Sequence, residues 1–255
     1  MSWNSEQYLK FKKERTQPSI DLADRLTARS PSTIIDIGCG PGNSTAILKK
    51  RYPNAAVTGA DNSENMVMAA KEKYPDIEFI LCDASKDLGE LNRKFDIVFS
   101  NACIQWVPDH PKLLREMLSL LKEGGELAVQ VPMNYDEPIH KIIGEISASE
   151  KWRDKFNDSR HFYTLAPEKY YDILAEISSD FEMWQTTYFH RMKSHSDIME
   201  WYKGTGLRPY LEALSETDSA EFERDIFEEV QKAYPKQANG EIIFRFPRLF
   251  FRAVK

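Results

Sequence analysis

Residues Ile34 to Ser44, I-I-D-I-G-C-G-P-G-N-S, restrict this chain more than any other stretch. The β-branched run Ile34, Ile35 and Ile37 predicts a buried strand. Three alternating glycines, Gly38, Gly40 and Gly42, break it, and a helix opens around Asn43, Ser44 and Thr45. A strand that turns sharply into a helix leaves backbone N–H groups facing the crevice above the sheet, where a nucleotide-like ligand fits. Glycine permits positive φ and lets a ligand approach the backbone without meeting a Cβ. Asp36, at the end of the strand, sets a carboxylate beside the loop.

The spacing argues against a dinucleotide. The fingerprint G-x-G-x-x-G would put its third glycine at position 43, which is asparagine here. Asp61 closes the next apolar run, and a carboxylate there can accept from both ribose hydroxyls. After the first strand the pattern alternates: strands over Ala56 to Asp61, Ile77 to Asp83, Phe95 to Ala102 and Glu126 to Val131, with helices between. This predicts an α/β fold with a mostly parallel sheet covered on both faces. Ser63 and Asp109 are expected helix caps, the second helix running to Lys122 and ending at Gly124-Gly125. Ligands of such sheets bind beyond the carboxyl ends of the strands. There the sequence places Gly38 to Gly42, Asp61-Asn62, Asp83-Ala84 and Asn101-Ala102, all small or polar.

The flanking regions are less regular. Tyr8, Phe11 and Arg15, with Trp3 ahead, fall at helical spacing and suit a helix that packs on the body or a lid over residues 1–30. A second helix is expected from about Gln17 to Ala28, and a core over 31–132. Beyond it, helices are expected at about Pro138 to Lys151, Pro167 to Ser178 and, with interruptions at Gly204-Thr205-Gly206 and Pro209, His195 to Tyr234. Strands are expected at Met183 to Met192 and Glu241 to Val254. Stretches 133–165 and 194–238 are read as insertions over the active-site edge of a single domain, where substrate selection resides.

Composition excludes several classes. At 255 residues with 42% hydrophobic content, one large domain has material for a core. Its 34 basic against 40 acidic residues give a net charge of −6, which disfavours a nucleic-acid partner. The absence of an 18-residue apolar run or a signal-type segment predicts no membrane contact. Cys39, Cys82 and Cys103, without metal-ligand spacing, read as free thiols of a reduced, cytoplasmic compartment.

The glycine loop with Asp36 resembles motif I of the class I S-adenosylmethionine-dependent methyltransferases, in which it faces an amino-acid sulfonium and no pyrophosphate. The resemblance implies a Rossmann-like seven-stranded sheet whose last strand is antiparallel, and S-adenosylmethionine as cofactor with S-adenosylhomocysteine as product. It assigns the ribose to Asp61, the adenine amino group to Asp83 and the sulfonium side to Asn101, Ala102, Gln105 and Trp106. Met66 would lie against the adenine or simply pack in the core. Asp36, Gly38, Cys39, Gly40, Asn43, Asn62 and Ala84 complete the expected cofactor set.

Further stretches resemble the trans-aconitate 2-methyltransferase family: W-N-x-x-x-Y-L-x-F-x-x-E-R, I-Q-W-V-P-D-H, Y-Y-D-I-L-A-E, T-T-Y-F-H-R-M, G-T-G-L-R-P-Y and N-G-E-I-I-F-R-F-P-R-L-F. This implies esterification of one carboxylate of trans-aconitate or a related small polycarboxylate. A carboxylate with a pKa of about 4 is already ionised at pH 7, so no general base and no catalytic dyad are expected. The remaining carboxylates call for cations, and arginine's planar fork suits them best. Arg208 and Arg248, inside the family-like blocks, are the first candidates. Arg15, Arg160, His161, His190 and Arg245 come next, and Trp106 and Tyr135 are candidate walls beside the methyl. A methyltransferase acting on another nucleophile, and a nucleotide-binding dehydrogenase, remain open as alternatives. A monomer or weak homo-oligomer is expected.

Overall fold

The computed structural model describes residues 12–156 and 162–255. A seven-stranded sheet runs through it in the order β3-β2-β1-β4-β5-β7-β6. Its strands are β1 Thr33–Ile37, β2 Ala56–Asp61, β3 Glu78–Leu81, β4 Phe95–Asn101, β5 Leu121–Pro132, β6 Asp180–Met192 and β7 Ile242–Val254. The pairs β1–β2, β1–β4, β2–β3 and β4–β5 are parallel, and β7 is antiparallel to both β5 and β6. The parallel α/β core is the one expected from the alternation, and the seven strands with an antiparallel last one are those the resemblance implies.

Period-two alternation within each strand sends side chains to opposite faces. Ile35 and Ile37 of β1 join Val98, Leu127, Val129 and Phe251 on one face, under α4 His110–Ser119 and α6 Pro167–Ile177. Ile34 joins Ile97, Phe99, Ala128 and Phe250 on the other, under α1 Lys12–Asp24 and α2 Asn43–Arg51. Val67 and Ala70 of α3 Glu64–Lys73 pack on Phe79 of β3. A separate cluster roofs the carboxyl edge at the β7 end. In it α5 Pro138–Ser147, α7 His195–Lys203 and α9 Glu216–Ala233 bury Ile139, Trp201, Tyr202, Phe222 and Val230 against Phe244 and Phe246. Between α7 and α9 lies the short helix α8, Arg208–Glu212.

Several expected boundaries move. α4 stops at Ser119 and not at Lys122, because β5 begins at Leu121 and pairs with Phe95. Gly124-Gly125 therefore do not end a helix. Gly124 adopts φ +71° inside the β5 stretch, where the register to β4 shifts and Lys255 exchanges backbone hydrogen bonds with both glycines. The helix expected at Gln17 to Ala28 is found at Lys12–Asp24, with Pro18 inside it. α5 ends at Ser147, earlier than Lys151. Ser63 precedes α3 without a side-chain cap, whereas Asp109 does cap α4, accepting from the Lys112 N–H at 3.3 Å. The helix expected over Tyr8 and Phe11 lies outside the described residues.

Candidate active site

The carboxyl ends of β1, β2 and β4 open into a cavity of about 410 Å³. The loop after β1 is anchored by the Gly38 and Cys39 N–H groups, which donate to the Ala60 carbonyl at 2.7 and 3.0 Å. Gly38 has φ +75°, and a Cβ there would come within 2.2 Å of Cys103. Gly40 has φ +53° and faces open cavity, with nothing within 4 Å of where a Cβ would be. The first glycine is thus required by the neighbouring strand's loop, and the second leaves the backbone bare toward a ligand.

Asp36 does not reach the cavity wall. It is fully buried behind the loop, where Oδ2 accepts from the hydroxyls of Ser44 at 2.6 Å and Thr45 at 2.7 Å. It therefore fixes the start of α2, and Ser44 in turn lines the cavity. Its second oxygen, Oδ1, has no protein partner, and burial raises its pKa to about 6 against the pull of the two hydroxyls. Asp61 does line the cavity. Its Oδ2 accepts from Gly40 N–H and its Oδ1 from Ser63 N–H, each at 2.9 Å, so the carboxylate ties the glycine loop to the start of α3. Burial raises its pKa against those two bonds. Each oxygen keeps a lone pair for a further donor. Asp83 accepts at Oδ1 from Ser85 N–H and Oγ, which hold its pKa low, and Lys86 approaches Oδ2 at 3.6 Å.

At the centre, β4 ends in Asn101, and Ala102 follows it at φ +54° with its N–H donating to Gln130 O. Gln105 donates to Ala102 O at 2.7 Å. Asn101 Oδ1 and Gln105 Oε1 are buried acceptors without a protein donor. His110 pins this turn: Nε2 contacts Ile104 O at 2.8 Å and Nδ1 contacts Tyr170 Oη at 2.7 Å. A carbonyl can only accept, so Nε2 carries the proton and Nδ1 accepts from the tyrosine. Trp106 packs on Phe162 at 4.5 Å, and Tyr163 N–H donates to Gln105 O.

The far end lies under the helical roof. Arg248 of β7, 5% exposed, donates from Nη1 to Gln130 Oε1 at 3.1 Å and lies over the Phe246 ring at 4.4 Å. Arg248 stands opposite Pro132 in the β5–β7 register, and Gln130 is two residues along the same face, a diagonal that long side chains span. From β2 to β7 is four strand spacings, about 19 Å at ~4.8 Å each. The cavity is therefore acidic and acceptor-rich at one end, with a buried guanidinium at the other.

Gly38, Cys39, Gly40, Asn43, Asp61, Asn62, Met66, Asp83, Ala84, Asn101, Ala102, Gln105, Trp106 and Arg248 thus line one cavity. The other sequence candidates are placed elsewhere. Arg208 is not among the described residues lining the cavity; it opens α8, with Pro209 in the first turn, and pairs with Glu212 at 2.7 Å. The interruption expected at Pro209 is instead the first turn of this short helix. Arg245 is exposed and lies 3.7 Å from Glu137. His190 is buried and stacks on Trp201 at 5.0 Å, with its pKa lowered to about 4 by burial and by Arg248. Tyr135 is half-exposed and lines only a small side hollow. The Arg15 side chain, Arg160 and His161 lie outside the described residues. Thr16 and Ser19 of α1, Asn134 after β5, and His140 and Tyr202 of the roof also line the cavity and were not among the sequence candidates. Their placement depends on how helices pack over the sheet edge, for which no local motif exists. Cys39, Cys82 and Cys103 are free, their thiols pushed up chiefly by burial, Cys82 to about 11 and Cys103 to about 12.

Residues 34–125 match the family model described as a methyltransferase domain. A trans-aconitate 2-methyltransferase of Rhodopseudomonas palustris is 41% identical over 255 residues, covering 99% of both chains. The chain belongs to the trans-aconitate 2-methyltransferase family. Members of this family share its full length, so the roof helices and β7 fall within the likeness as well as the glycine loop. Among solved structures, the YcgJ protein of Bacillus subtilis superposes with a TM-score of 0.64 at 16% identity, covering 94% of this chain and 98% of that one. Phosphoethanolamine N-methyltransferase 2 of Haemonchus contortus, solved with S-adenosyl-L-methionine, gives 0.56 at 20% identity, covering 94% and 52%. The chain is an S-adenosylmethionine-dependent methyltransferase by its family and its methyltransferase domain, and its fold is that of the class I methyltransferases. The acceptors at Asp61, Asn101 and Gln105, and the carboxylates of Asp36 and Asp61 that burial makes costly to ionise, suit a ligand that brings donors and positive charge. No helix among the described residues is long and apolar enough to cross a membrane.

Proposed function

We propose that this enzyme esterifies one carboxylate of trans-aconitate, or of a closely related small polycarboxylate. The observation that carries the reading is the placement of Arg248. A buried guanidinium, held by Gln130 and stacked on Phe246, shares one cavity with the acidic, glycine-lined end. A guanidinium desolvated in this way grips a carboxylate in a forked, charge-assisted pair.

When bound, S-adenosylmethionine supplies an electrophilic methyl group on a sulfonium. Asp61, Asp83, Asn62, Met66 and the backbone of Gly38 and Gly40 would hold it. The acid arrives ionised, so no proton has to be removed from it. What the chain contributes is binding, alignment within about 3–3.5 Å and exclusion of water. Trp106, Phe162 and Phe246 provide apolar wall for the last of these.

The titratable groups on the wall agree with that division of labour. Among the described residues, His140 is the imidazole lining the cavity, and burial lowers its pKa to about 4, which makes it a weak base at neutral pH. An amine or hydroxyl substrate would need a stronger one. Incubation with methyl-labelled S-adenosylmethionine and trans-aconitate, followed by treatment with base, tests the reading. An ester releases labelled methanol. A base-stable methyl product would overturn it.

A further inference from the structure

Beside the main cavity opens a smaller hollow of about 100 Å³, lined by Pro132, Asn134, Tyr135, His140, Phe162 and Thr164. Four of these, Pro132, Asn134, His140 and Phe162, line the main cavity too, so the hollow is its side chamber. Since about 10–15 Å³ of such space already admits one water, the chamber has room for a carboxylate arm. Its wall carries an amide, a phenol, an imidazole and a hydroxyl, and no carboxylate among the described residues. The opposite end of the cavity, with Asp61 and Asp83, has the reverse character.

His140 stands at the junction. Its ring meets the edge of Tyr202 at 5.2 Å and of Phe162 at 5.8 Å, both near perpendicular. Gly206 leaves room for the Tyr202 ring, which a Cβ there would meet at 2.9 Å; the same Cβ would lie at ordinary contact distance, 4.0 Å, from the imidazole Cε1. Tyr202 accepts from Asn134 Nδ2 at 3.0 Å, which leaves its own proton to donate. Burial keeps the imidazole neutral at pH 7, with one N–H to offer.

A tricarboxylate has three arms to place, and on the reading above one reacts and one meets Arg248. We propose that the side chamber receives the third carboxylate, that His140 donates a hydrogen bond to it, and that this contact selects tricarboxylates over dicarboxylates. The inference rests on the acid-esterifying function just proposed. It adds a second anion subsite, built from neutral donors, to the guanidinium of β7.

The test compares kcat/KM for trans-aconitate with that for unsaturated dicarboxylates lacking one arm, in the wild-type enzyme and in His140→Phe. Phenylalanine keeps the ring between Tyr202 and Phe162 and removes the donor. The preference for the tricarboxylate should fall by about tenfold or more, the loss of one hydrogen bond to a charged group. His140→Asn, which retains a donor, should recover part of it. Thr164→Val supplies a second reading from the far wall should His140→Phe fail to fold. A preference that stays within about twofold of wild type in the folded variants would overturn the side-chamber assignment alone. Wild-type enzyme that esterifies neither class of acid would instead overturn the proposed function, and this assignment with it.

Discussion

Gln130 Oε1 lies 3.1 Å from Arg248 Nη1, joining two buried side chains of neighbouring antiparallel strands. Because a guanidinium only donates, this contact fixes which end of the amide faces it, and Arg248 lines the cavity. The aromatic face of Phe246 holds the same group from a second side. Position, and no ionisable base, is what these three residues provide.

Arg248→Ala should therefore raise KM for the acid and leave the cofactor dissociation constant unchanged. A charge-assisted hydrogen bond at about 1.5–3 kcal/mol corresponds to roughly 10- to 100-fold in KM. Gln130→Leu, which releases the guanidinium without removing it, should raise KM by a smaller factor. Steady-state kinetics with calorimetry for the cofactor checks both.

Asp61→Ala should weaken S-adenosylmethionine binding by more than about tenfold, through loss of charge-assisted acceptors. Because Asp61 also holds Gly40 and Ser63, the melting temperature should fall as well. Calorimetry and thermal unfolding read the two effects. An unchanged dissociation constant would remove Asp61 from the ribose.

The two glycines should separate stability from affinity. Gly38→Ala places a Cβ 2.2 Å from Cys103 at φ +75°, so the protein should be strongly destabilised. Gly40→Ala meets nothing within 4 Å and carries only the left-handed backbone cost of about 1–2 kcal/mol. It should fold, and lose cofactor affinity because the methyl projects into the cavity. Unfolding curves and binding isotherms of the pair decide this.

Asp36 gives a pH signature. Its pKa rises from 3.8 to about 6 on folding, so the native state holds its proton more tightly than the unfolded chain. That contribution is fully present below pH 4 and is lost as pH rises through 6, by about 2–3 kcal/mol at 1.36 kcal/mol per unit. Asp36→Asn keeps an oxygen for Ser44 and Thr45 and cannot ionise. The ligand-free variant should therefore gain stability relative to wild type between pH 4 and pH 7, as measured by denaturant unfolding.

Much of this was legible in the chain because it is local. Period-two strands, glycines before a helix and polar residues closing each strand are sequence-near features, and the structure brings those strand ends onto one wall. The limits appear where long-range packing takes over. Asp36 looked like a wall residue because it ends a strand beside the loop, yet the alternation of β1 turns it toward α2. Arg208 and Arg248 were equivalent as arginines in family-like blocks. Only the β5–β7 register distinguishes them, by setting Arg248 opposite Pro132. His140 carries no motif: Ile139, Ile142 and Ile143 mark the buried face of α5, and the imidazole beside them gains its role from α7 folding over it.

The most direct test of the account is transfer of a labelled methyl group from S-adenosylmethionine to trans-aconitate, cis-aconitate, citrate, isocitrate and several fatty acids. Base-labile product is expected with trans-aconitate at the highest kcat/KM, and none with the fatty acids, which have no second carboxylate for Arg248. Tight cofactor binding without transfer to any of these acids, or equal rates on fatty acids, would contradict it.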